Sequence, residues 1–266
     1  EIADGVSYCV KDIKQKDSSV RPSAPFITSS LQASASTSLG FGAKRTMRAA
    51  QGLYEAGSIT YMRTDSTHLS IDALNAVRTY ISNKFGDDYL PQKPNFYSST
   101  NKDAQEAHEA IRPTDASLHP EKLPAKLDED QRRLYGLIWS RFVACQMTPA
   151  RWHRTEIFFE REDEKTGAIF KVGGRTLAFD GFYKASGVPS SETEQNLPEL
   201  QEGTVLFPFD ITPKQNFSSP PPRYSEASLI KKLESEGIGR PSTYASIIDV
   251  IQYRKYVEKI ERSFHP

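Results

Sequence analysis

The apolar positions along the chain switch from strand period to helical period and back again. Val6-Ser7-Tyr8-Cys9-Val10 reads as the end of a strand, followed by a charged connector to residue 20. From Pro25 the spacing turns helical: Phe26-Ile27 leads into Leu31 and a small-residue stretch ending at Gly40. A second helix, Lys44 to Ala56, is stopped by Gly57 at a C′ position. Ser70 is a good N-cap for a third helix, Ile71 to Phe85, that buries Leu74, Val77 and Ile81. After a loop-rich stretch, a long amphipathic helix from about Asp128 to Met147 places Leu134, Leu137, Ile138, Phe142 and Cys145 on one stripe and is core.

From Arg154 the period becomes two. Glu156 to Phe159 and Ala168 to Val172 are expected strands, the second turned by Gly173-Gly174 into Thr176 to Phe179. Ser186 to Pro198 is a polar loop, Val205 to Phe209 a last strand, and Phe217 to Pro222 a rigid Pro-rich linker. Two closing helices, Ser225 to Glu236 and Pro241 to Tyr253, are separated by Gly237 and Gly239. The pattern predicts an α+β chain: a β domain (1–20 and 151–218) interrupted by a helical body (21–150), with a helical segment at 219–266. Helix, turn, helix and a Ser58 to Arg63 strand form a winged-helix-like arrangement within that body.

Composition narrows the class. The 266 residues, 37% hydrophobic, suffice for two cores, and no apolar run approaches the roughly 18–20 residues of a membrane-spanning helix. Cys9 and Cys145 stand apart without Cys-x-x-Cys or histidine spacing, so neither a zinc site nor a disulfide framework is expected, and a reducing cytoplasm fits. The ends read as those of a piece of a longer polypeptide. Net charge is zero, yet between Arg21 and Asp65 five basic residues (Arg21, Lys44, Arg45, Arg48, Arg63) face two acidic ones (Glu55, Asp65), enough for a local basic groove.

Candidate chemistry concentrates in three runs. In Ile59-Thr60-Tyr61-Met62-Arg63-Thr64-Asp65-Ser66-Thr67, an extended backbone puts Tyr61, Arg63 and Asp65 on one face and Met62 and Thr64 on the other, so a phenol sits beside a guanidinium. By itself this is more often a solvated strand face. Ala104 to Thr114 carries His108 and Arg112, which alone would be an exposed turn with one histidine. In Glu236 to Tyr244, the glycines, Arg240, Pro241 at a first helical position, Ser242 and Thr243 make a phosphate cradle, or simply a helix-turn-helix corner.

Together, in this order, the three runs resemble three motifs of the type IA DNA topoisomerases. Met62 after the tyrosine and Thr67 after Asp65-Ser66 resemble the bacterial topoisomerase I branch more than the topoisomerase III or reverse gyrase branches. The resemblance runs from about Pro25 to Tyr256. It implies a toroid in which the helical insert carries the nucleophile and the β domain forms an arch. It implies Tyr61 as nucleophile and Arg63 as its charge partner, with Asp65 orienting His108. Thr64, Ser66, Arg112, Arg240, Ser242 and Thr243 would support the site or hold single-stranded DNA. The implied activity is ATP-independent relaxation of negative supercoils through a 5′-phosphotyrosine link, at the bacterial nucleoid in the cytoplasm. Mg²⁺ would be held by a TOPRIM domain of the same polypeptide, since no Asp-x-Asp with a preceding Glu in a strand context occurs here. The competing readings are a non-catalytic single-strand-binding module, in which Tyr61 stacks on a base, and a winged-helix regulator of duplex DNA.

Overall fold

The computed structural model describes residues 7–98, 108–163, 167–189, 196–208 and 212–266. Val6, Phe209, Ala104 to Ala107 of the His108 run and part of the Ser186 to Pro198 loop lie outside them. The chain divides into a sheet unit, Glu1–Arg21 with Pro149–Pro220, and a helical unit, Pro22–Thr148 with Pro221–Pro266.

The sheet unit is built on β1 (Tyr8–Val20), which pairs antiparallel with β2 (Ala150–Arg161) from Tyr8↔Arg161 to Val20↔Ala150. The charged connector expected at 11–20 is therefore strand. Its side chains alternate between two solvated faces, and pairing with β2 overrides a composition poor in β-formers. β3 (Ile169–Phe179) is likewise one continuous strand rather than a hairpin at Gly173-Gly174, because these glycines pair with Glu156 and Thr155 of β2. A Gly at positive φ does precede it, Gly167 at 62°. After the short α5 (Tyr183–Ser186), β4 (Val205–Leu206) closes the order β3-β2-β1-β4. Ile157 and Val10 are buried against this sheet, and Trp152 packs on Tyr183.

In the helical unit, α1 (Thr28–Leu39) ends at Gly40, α2 (Ala43–Glu55) ends two residues before Gly57, and α3 (Ile71–Phe85) is capped by Ser70, whose hydroxyl accepts from the Ala73 N–H. Ala73, Val77 and Ile81 face inward on α3, while Leu74 is only partly covered. Among the described residues between α3 and α4 lie two single 3₁₀ turns, Asp87–Tyr89 and Pro120–Lys122. α4 (Glu129–Cys145) starts from a reciprocal capping box between Asp128 and Gln131. Its residues Leu134, Tyr135, Ile138 and Phe142 form the centre of the core. α6 (Glu226–Ser235), α7 (Tyr244–Tyr253) and the hairpin β5 (Glu258–Ile260) with β6 (Ser263–His265) add a second cluster of Ala43, Ile230, Tyr244, Ile248 and Phe264. The closing segment thus packs on α1 and α2.

Candidate active site

No Ser58 to Arg63 strand forms, so the strand of the winged-helix reading is absent; among the described residues the run's ladder contact is one antiparallel bridge, Ile59↔Pro113. The run bends at Thr60 and Met62, and its burial nevertheless alternates without a break. Tyr61 and Arg63 are exposed, Met62, Thr64 and Ser66 are buried, and Asp65 is intermediate. The alternation survives because backbone partners come from two sources other than a strand. On one side Thr28, in the first turn of α1, donates its N–H to the Thr64 carbonyl and its hydroxyl to the Met62 and Thr64 carbonyls, while that hydroxyl accepts from the Thr64 N–H at 2.9 Å. On the other, the Thr60 N–H donates to the Arg112 carbonyl at 2.9 Å and its hydroxyl to that of Ala110 at 2.7 Å. A buried Met62 and a doubly used Thr28 hydroxyl lock the backbone that presents Tyr61.

The Tyr61 ring is 44% exposed and packs edge-on against Tyr54 of α2, centroids 5.3 Å apart. Tyr54, itself 42% exposed, carried no sequence signal; only the fold of α2 onto the run brings the two rings together. Thr64 and Ser66, expected to support the site or contact DNA, are turned inward. Their hydroxyls accept from the Ser66 and His68 N–H groups, so they brace the run and cannot reach a ligand.

Arg112 is also already engaged. Its guanidinium grips Glu109 through two bonds of 2.8 and 2.9 Å and donates to the Pro113 carbonyl. Glu109 in turn accepts from the Ser70 N–H at the start of α3. Burial pushes the Glu109 carboxyl up, but Arg112 and Ser70 together outweigh it and hold it below its ordinary value. The pair pins 109–113 beside the tyrosine run. His108, at the edge of this segment, is exposed.

The third run departs from expectation in one respect. α7 begins at Tyr244, not at Pro241. Pro241, Ser242 and Thr243 form a turn in which the Thr243 hydroxyl accepts from the Arg240 N–H at 2.8 Å, and the Thr243 N–H donates to the Arg240 carbonyl. Thr243 thus closes the turn rather than facing a phosphate, while Ser242 and Arg240 stay exposed. The Arg240 guanidinium donates to the Gly237 and Gly239 carbonyls, which extends it across the loop. Gly239 sits at φ 83°, a conformation in which a side chain would be strained, and a Cβ there would also crowd Thr243 Oγ1 and the Tyr244 ring.

This run and the first share one charged neighbourhood around the buried Tyr244 phenol. Burial raises its pKa first, Glu234 and Asp65 raise it further, and Arg240 opposes them. Glu234 of α6 also accepts from Ser29 of α1 at 2.7 Å. A second acid the sequence did not reveal, Glu226, accepts from the Ala43 N–H at 2.8 Å and so caps α2 from 183 residues away. Among the described residues no group of three His, Cys, Asp or Glu side chains comes together as a metal site.

Comparison with known proteins places this geometry in a family. A DNA topoisomerase family model matches residues 1–266. DNA topoisomerase 1 of Haemophilus influenzae is 52% identical over 97% of this chain, and that of Escherichia coli 51% over the same share; the chain spans 29% of each. The structure of full-length topoisomerase I from Thermotoga maritima superposes with a TM-score of 0.84 at 36% identity, covering 100% of this chain and 44% of that one. The run that exposes Tyr61 and Arg63 and buries Met62, braced by Thr28 and the Glu109–Arg112 clamp, therefore sits in a chain that belongs to the bacterial, type IA DNA topoisomerase family.

Proposed function

We propose that this chain carries the nucleophile half of a DNA strand-breaking and rejoining site that relaxes negative supercoils without ATP. The Tyr61 hydroxyl attacks a backbone phosphorus of single-stranded DNA. A phosphotyrosine bond to the 5′ end forms as the bond to the 3′ oxygen breaks; the phenol gives up its proton and the departing oxygen takes one up to leave a 3′ hydroxyl, so no proton is gained or lost overall. One phosphodiester replaces another, so the bond energy is conserved and rejoining is the same step reversed.

A free phenol, with a pKa near 10, is ionised in only about one molecule in a thousand at neutral pH. Arg63, exposed on the same side of the run, supplies the positive charge that favours the attacking oxygen and the charge that builds on phosphorus. His108 donates to a phosphate oxygen beside the scissile bond, Asp65 contributes to the field of the site, and Arg240 with Ser242 holds the strand through its backbone. Arg112, Thr64, Ser66 and Thr243 act as positioning groups, since their polar atoms are already committed within the protein. Mg²⁺ and its TOPRIM ligands are placed by this reading outside this chain, and no step here runs through a metal.

The observation that carries this reading is the alternation of the 61–66 run, which exposes Tyr61 and Arg63 while Thr28 fixes the Met62 and Thr64 carbonyls. The test uses the full-length polypeptide with Mg²⁺ and an end-labelled single-stranded oligonucleotide. A denaturant-resistant adduct is expected with the wild type and none with Tyr61→Phe. An adduct that persists in Tyr61→Phe overturns the assignment, and tight binding without any adduct favours the single-strand-binding module.

A further inference from the structure

One face of the sheet unit carries an arrangement that strand pairing disfavours. Lys16 of β1 stands directly opposite Arg154 of β2, and Arg154 directly opposite Arg175 of β3. Opposed residues share a face, so three cations line up across three strands, and like charges so placed destabilise a sheet. The next positions on the same face extend the field. Lys14 lies opposite Glu156, and Asp12 and Lys171 lie opposite Phe158. Five cations thus face two carboxylates, both already engaged: Glu156 accepts from Lys171 at 2.7 Å and lies 3.3 Å from Arg154, and Asp12 lies 3.5 Å from Lys14. The Lys14, Arg154 and Lys171 side chains are at least half exposed, and Lys16 makes no ion pair among the described residues.

The chemistry that recognises such a face is a repeating anion, and two features select its form. A single strand is normally held by bases stacking on free aromatic faces. Here the aromatic faces are taken: Lys14 and Lys171 ammonium groups lie 5.0 and 5.6 Å from the Phe158 centroid, and the Arg175 guanidinium covers the buried Trp152 at 4.4 Å. What remains is a flat array, about 10 Å across three strands and about 13 Å along them. That geometry meets the paired backbones of a duplex, which present about one negative charge per 1.7 Å of axis, better than a flexible strand that needs a groove.

We propose that this face docks the phosphate backbone of duplex DNA through Lys16, Arg154, Lys14 and Lys171, residues separate from the Tyr61 site. The proposal rests on DNA being the partner, as argued above. It is tested on the full-length polypeptide with a blunt-ended duplex, by measuring Kd across a salt series. The double substitution Lys16→Gln with Arg154→Gln should lower the slope of log K against log salt by about 1.8, two contacts at about 0.9 each. Glu156→Gln, which releases Arg154 and Lys171, should tighten duplex binding and provides an independent reading if the double variant is poorly folded. Both variants should keep the Tyr61 adduct with a single-stranded oligonucleotide. A duplex slope unchanged in both variants overturns the proposal and leaves the Tyr61 assignment standing. An equal loss on single strands also overturns it, by naming a different occupant. A wild-type protein with neither duplex affinity nor a Tyr61 adduct overturns both.

Discussion

The two units treat their polar groups in opposite ways. Every buried polar or charged residue among those described, from Thr28, Ser29 and Gln32 through Thr64 and Ser66 to Gln146 and Glu226, belongs to the helical unit. The sheet unit keeps most of its charges on solvated faces, where Lys11–Glu160, Lys14–Asp12 and Arg154–Glu156 are at least partly exposed pairs, the largely covered Arg161 beside Asp163 being an exception. A buried hydrogen bond is costly to break and therefore fixes geometry, whereas an exposed ion pair contributes little and can be exchanged. The difference teaches where positional accuracy is kept: beneath an exposed tyrosine, and not under the cationic face.

The sharpest way to break this contrast is Thr28→Val, which removes the hydroxyl shared by the Thr64 N–H and the Met62 and Thr64 carbonyls. It should cost about 2–3 kcal/mol in chemical denaturation. Adduct formation by Tyr61 should fall even at temperatures where the variant is fully folded. If stability and adduct yield both stay at wild-type level, buried polar bonding does not position the run. Next in size, Glu226→Ala removes the acid at the N-terminus of α2 and should cost ~2 kcal/mol by urea unfolding. Glu226→Gln should recover part of that, because an amide oxygen still accepts from the Ala43 N–H.

Glu109 gives a pH-dependent version of the same test. Its folded pKa is depressed, so its contribution to stability is complete above the unfolded value of about 4.3 and is lost as pH falls through the folded value. Stability measured from pH 5 down to pH 3 should fall more steeply for the wild type than for Glu109→Gln; identical limbs would count against the Arg112 clamp. The smallest effect belongs to the sheet unit. Lys11→Ala, at the exposed Glu160 pair, should change stability by no more than about 0.5 kcal/mol. A loss comparable to Thr28→Val would erase the contrast between the units.

Much of the helical unit was legible because helix signals are local. Ser70 and Asp128 are caps that act within four residues, and the apolar stripe of α4 is a property of its own spacing. The sheet was less legible. The stretch Lys11 to Ser19 carries almost no β-forming residues, and Gly173-Gly174 looks like a turn, yet both are held in strands by pairing with β2. A strand takes its stability from its neighbour, so composition alone misread each of them.

At the candidate site the sequence by itself determined the family, the alternation that exposes Tyr61 and Arg63 and hides Met62, and the three runs worth examining. Alternation needs only neighbouring side chains that turn to opposite sides of the backbone, which is a local matter. The tertiary structure alone decided which polar groups remain available: Arg112 is taken by Glu109, Thr243 by the Arg240 backbone, and Thr64 and Ser66 by neighbouring amides, while Tyr61, Arg63, His108 and Ser242 stay exposed. It also brought in Thr28, Tyr54, Glu226 and Glu234 from distant positions. A hydrogen bond is spent on whichever partner packing delivers, and packing between residues far apart in the chain is written in no single stretch of sequence.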